Sequence, residues 1–104
     1  MEEIKFTGVR LELFNLFLRM LKDEWYLSLG NYTFALMENR LLVMLWDGSM
    51  VLGQLEFDIV PVSKGNVVAK VLVLKKKVVY GRFNINDVIR AIEEFALDNL
   101  TKNF

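Results

Sequence analysis

The sequence predicts an α+β fold: an antiparallel β-meander of about five strands flanked by an N-terminal and a C-terminal helix. Three observations carry that expectation. The two ends of the chain repeat their apolar residues at helical spacing, whereas the long middle section alternates as strands do. Turn residues interrupt that middle section at short intervals. Among them Asp47-Gly48 is the strongest hairpin signal. The length of 104 residues fits a single domain, residues 1–104.

The first helix is expected over Thr7 to Asp23. Thr7 or Gly8 starts it, and Lys22 sits near its C-terminus, where positive charge is favoured. At about 100° per residue, Glu12, Asn15, Arg19, Lys22 and Asp23 share one arc. Nearly everything else is apolar, a stripe wider than docking on one sheet requires. It divides into two faces. Leu11, Phe14, Leu18 and Leu21 suit the sheet, and Leu13, Leu16, Phe17 and Met20 suit a second helix.

Trp25 to Leu29 reads as a short strand or as the tail of that helix. Tyr32 to Met37 is a strand, Glu38-Asn39-Arg40 a tight turn, and Arg40 to Trp46 the next strand. Met50 to Val60 is a long strand expected to stop at Pro61, which cannot donate a ladder hydrogen bond. Ser63-Lys64-Gly65-Asn66 is turn chemistry. Val67 to Leu74 and Val78 to Phe83 follow as strands, separated or bent near Lys75-Lys76-Lys77. The last helix spans Asn84 to Leu100, with Asn84 or Asn86 as cap and Asp87 in its first turn. Its apolar stripe (Val88, Ile89, Ile92, Phe95, Ala96, Leu100) has ordinary width and needs one surface only.

Taking Asp47 and Gly48 as the two turn residues pairs Trp46 with Ser49, Met44 with Val51 and Leu42 with Gly53. Leu42, Met44, Trp46, Val51, Leu55, Phe57 and Ile59 then share the expected core face. Leu41, Val43, Leu45, Met50, Leu52, Gln54, Glu56 and Asp58 share the other. Gly53, inside a strand, marks a bulge or a close packing contact.

Composition narrows the function classes. The chain is 54% hydrophobic, more apolar surface than so small a domain readily hides, which points to a partner surface. Thirteen basic and thirteen acidic side chains cancel, so there is no global attraction to nucleic acid or to anionic membrane. The longest uninterrupted apolar run, Leu41 to Trp46, falls far short of the ~18 residues of a membrane span. The acidic opening Met1-Glu2-Glu3 is unlike a secretory signal, so a cytoplasmic location is the expectation.

There is no His and no Cys, which removes the commonest general bases, nucleophiles and thiolate ligands. No catalytic residue, metal site or cofactor is assigned. Glu56 and Asp58 share a strand face and could act as a carboxylate pair. A cross-strand ion pair with Lys70 explains them more simply. Lys70, Lys75, Lys76, Lys77 and Arg82, with Tyr80 as a stacking platform, form the one basic cluster. It reads either as nucleic-acid contact or as a solvated turn and lysine-guarded edge.

The stretch Val43-Met44-Leu45-Trp46-Asp47-Gly48, followed by Gly53-Gln54-Leu55-Glu56-Phe57-Asp58, resembles the first motif of Sm-like proteins. Val79-Tyr80-Gly81 is faintly similar to their second motif. The resemblance covers about forty residues and implies a bent five-stranded barrel, ring assembly and RNA binding. Gly53 stands one residue closer to Phe57-Asp58 than in that pattern. Val62 occupies the position of the RNA-contacting Asn, and Tyr80 that of the usual Arg, so no RNA site is carried over. The order of elements is also similar to that of the small dimeric signal-recognition-particle Alu-binding proteins, in topology alone.

The function expected from these readings is a small non-enzymatic interaction module, a homodimer or a subunit of a larger assembly. It would associate through Leu13, Leu16, Phe17 and Met20 of the first helix. The alternative is a small RNA- or single-strand-binding protein using the lysine cluster. A carboxylate-dependent enzyme ranks third.

Overall fold

The computed structural model describes residues 2–102. Six strands form one antiparallel sheet with two helices on one of its faces. In chain order these are β1 (Glu3–Phe6), α1 (Gly8–Asp23), β2 (Tyr26–Leu29), β3 (Tyr32–Met37), β4 (Arg40–Asp47), β5 (Met50–Lys64), β6 (Val67–Val79) and α2 (Ile85–Lys102). The spatial order is β1-β6-β5-β4-β3-β2. Strands β2 to β6 are the expected meander. β1 was not expected: it pairs with β6, with Phe6 opposite Lys70. A four-residue strand has too few alternations to read from sequence. Because β1 and β2 lie at opposite edges, the sheet is open, and the barrel implied by the Sm-like resemblance does not form.

That strand order fixes the path of α1. It leaves β1 at one edge and must deliver the chain to β2 at the other, so it crosses the whole sheet. Leu11, Phe14, Phe17 and Leu21 are its buried residues. Phe14 stacks on Phe6 at 4.3 Å between ring centroids, and Phe17 meets Phe34 of β3 edge-on at 5.2 Å. α2 packs beside α1 and adds Val88, Ile89, Ile92 and Ala96 to the same core. Its N-terminus is capped by Asn84, whose Oδ1 accepts the Asn86 N–H at 2.9 Å. Leu100, placed on its apolar stripe from the sequence, is exposed.

The sheet register differs from expectation in an informative way. Asp47 pairs with Met50, so the turn residues are Gly48 and Ser49, one place further along. That shift alone keeps the side-chain parity. A bulge then changes it: Trp46 pairs with Val51 but Leu45 with Gly53, which leaves Leu52 as an extra residue on β5. The core face of β4 is therefore Leu41, Val43 and Leu45, not Leu42, Met44 and Trp46. On β5, Leu55 and Phe57 are buried as expected, and Val51 is exposed.

Pro61 does not end β5. The Ile59 N–H donates to the Asn39 carbonyl on the β4 side at 2.7 Å. Two residues on, position 61 faces that same side, but β4 begins only opposite Asp58. No ladder bond is lost there, and Pro61 pairs with Lys70 on its other side. β5 and β6 therefore continue past the body of the sheet as a two-stranded arm. β6 is one bent strand, with Lys75 as the extra residue between Leu74 and Lys76.

Candidate functional site

Every strand has one face toward the helices and one away. On the helix side lie the core residues of β3, β4, β5 and β6: Phe34, Val43, Leu55 and Leu72 among them. The other face follows from the register. One row across it reads Tyr26, Ala35, Leu42, Glu56 and Lys76, from β2 to β6. The next row reads Ser28, Thr33, Met44, Gln54 and Val78. Ala35, Leu42, Met44 and Trp46 are half-buried, yet none belongs to the core or packs against it. They shield one another on a surface that no helix covers. Tyr26 and Met37, at 62% and 61% exposed, extend this apolar area toward β2. The Trp46 indole N–H donates to Thr33 Oγ1 at 2.9 Å, which ties the ring to β3. A hollow of about 130 Å³ lies among Thr33, Ala35, Leu42, Met44, Gln54 and Glu56.

The residues expected to form an interface on α1 are placed differently. Phe17 is wholly buried between Phe34 and Phe95 of α2, so it has no surface left for a partner. Leu13 and Leu16 are half-buried and pack against the same core, and Met20 is half-buried. The helix awaited by the second face of α1 is the chain's own α2. Arg10 fastens the pair, its Nε donating to Glu93 Oε1 at 2.8 Å while its guanidinium lies over Phe6.

The basic cluster is split between the two faces. Lys70 points to the helix side, where its ammonium donates to Asn15 Oδ1 at 2.6 Å. It is not the partner of Glu56 and Asp58, because the register sets it opposite Pro61. Asp58 instead pairs with Arg40 at 3.4 Å and Lys75 at 3.8 Å. Lys76 lies on the uncovered face, opposite Glu56. The bulge at Lys75 turns Lys77 back to the helix side, with its ammonium over the Phe83 ring. Tyr80 and Arg82 follow the end of β6 and are exposed.

No polar or charged side chain among the described residues is buried, and no group of three metal-ligating side chains occurs among them. No helix is long and apolar enough to cross a membrane. The phenol of Tyr32 is pushed above its ordinary value by burial and then by the negative charge of Asp87.

Trp25 is the surface feature that sequence reasoning missed. Read from the sequence as the start of a short strand or the tail of the first helix, it is 93% exposed. It borders a groove of about 670 Å³ between the end of α1 and the start of the arm, floored by Leu18, Leu21, Leu36, Ile59 and Pro61. Its position at the junction of helix and strand, flanked by Glu24, is the only sequence signal that could have placed it outside. No protein family, curated protein or solved structure matches this chain.

Proposed function

We propose that the chain is a small non-enzymatic interaction module that works as a homodimer. The observation that carries this reading is surface left over after folding. The chain exposes 7139 Å², roughly a thousand square ångströms more than a folded monomer of this mass ordinarily does. A standard interface removes about 800 Å² from each partner, so the surplus is of the size a dimer covers. Zero net charge supports the same reading, because two copies meet without mutual repulsion. The division of the lysines between two faces gives the nucleic-acid alternative no continuous basic track.

Absolute mass in solution, measured by light scattering after high salt and nuclease treatment, tests the proposal. Twice the 12.1 kDa chain mass is expected. A single chain mass at every concentration overturns it, and a ring-sized mass of about six chains replaces it with ring assembly of the Sm-like kind.

A further inference from the structure

Resting on the homodimer reading, we infer that the two copies join through the uncovered face of the sheet, sheet against sheet, about a twofold axis running along β4. The product is a four-layer stack, with the helices outside and the two sheets inside.

The register supplies the argument. β4 carries the apolar ridge of this face, with Leu42 and Met44 at its centre and Trp46 at its end. A twofold interface sets a patch against itself, so residues on the axis meet their own copies and the two flanks exchange. With the axis on β4, Leu42 meets Leu42 and Met44 meets Met44. The flanks of β4 are unlike, and their difference is complementary. On one side stand the exposed ring of Tyr26 and the small Ala35; on the other stand Glu56 and Lys76. The exchange brings β3 over the partner's β5 and β2 over the partner's β6. Thr33 then lies opposite Gln54, a hydroxyl against an amide. Tyr26 lies opposite Lys76, an aromatic face against a cation that has no ion-pair partner among the described residues. An axis running along β5 would instead oppose Glu56 to Glu56, at an electrostatic cost.

Two further facts agree. The surplus surface is of the size a standard interface removes from one partner. The competing α1 face packs against α2, with Phe17 wholly enclosed.

The test uses the chain's lack of cysteine. Met44→Cys and, separately, Leu16→Cys each place one thiol on the molecule. The protein is treated with a bismaleimide that spans the ~10 Å between packed sheets. Met44→Cys is expected to give a covalent dimer and Leu16→Cys monomer only. Leu42→Asp, which opens no core cavity, is expected to weaken the dimer at least a hundredfold and halve the light-scattering mass, with an unchanged circular-dichroism spectrum. If the wild type is dimeric, Leu42→Asp keeps it so and only Leu16→Cys crosslinks, the sheet-face interface is overturned and the homodimer reading survives. If the wild type itself has the mass of one chain, both are overturned.

Discussion

Gly53 has no side chain because the neighbouring strand leaves no room for one. A Cβ built there would stand 2.5 Å from the Val78 carbonyl oxygen and 2.8 Å from the Val79 Cα, both backbone atoms that cannot swing aside. Gly53→Ala is expected to cost about 1–3 kcal/mol by overpacking, read as a lower denaturation midpoint. At Tyr32 the consequence is a pH dependence. Its folded-state pKa lies above the ordinary phenol value of 10.0, because burial and Asp87 both disfavour the phenolate. The folded form therefore holds the proton more tightly than the unfolded chain does. The resulting stability is complete below about pH 10 and is lost as pH rises through the folded value. Tyr32→Phe should flatten that alkaline decline, which thermal melts between pH 8 and 11 will show. Glu38 takes the left-handed conformation (φ 56°) in the β3–β4 turn. Glu38→Gly should relieve it and raise stability by about 0.5–1 kcal/mol, measured by chemical denaturation.

At the scale of elements, α1 is the hub. Phe17 touches a strand residue, Phe34, and a helix residue, Phe95, with its ring nearly perpendicular to both. Phe17→Ala should remove about 3–5 kcal/mol and loosen α2 together with the sheet, seen as lost amide-exchange protection in both. Much at this scale was legible in advance. The interval of α1, the limits of β3 and the cap of α2 all follow from spacing and end chemistry. The width of the α1 stripe correctly announced a second helix. What it could not reveal was which chain supplied that helix, because an apolar face carries no label for its partner. The β4–β5 faces were misread for a different reason. One extra residue, Leu52, inverts every side chain beyond it, and alternation cannot show a residue that breaks the alternation. Gly53 was the visible trace of that irregularity. Pro61 misled in turn, since its effect depends on which side of β5 has a neighbour, and that is a fact of assembly rather than of local sequence.

At the scale of the whole molecule, layering decides what is left for function. Extents of 43 × 36 × 22 Å describe a slab, with helices on one side and a bare sheet on the other. The 54% apolar content fills the core and also reaches that bare side, with further exposed apolar residues on the β5–β6 arm and the helices. The candidate surface was therefore legible as a quantity but not as a place. If it closes by self-association, stability and concentration are linked, and the melting temperature should climb with protein concentration. Dilution from about 100 μM to 1 μM, followed by differential scanning fluorimetry, checks this. An interface built mainly from Leu42 and Met44 should also be little affected by 1 M NaCl, since screening acts on charges rather than on apolar contact.

Pro61 carries one more consequence. The arm of β5 beyond Ile59 presents a naked strand edge with exposed Val60 and Val62 beside it, the pattern from which strand-by-strand polymers grow. An incoming strand would look for the amide hydrogen at position 61 and find a ring carbon instead. Pro61 thus denies an added strand one ladder hydrogen bond on that edge. Pro61→Val restores the missing donor without touching the core, and a rise in thioflavin fluorescence on storage, absent in the parent chain, is the expected result.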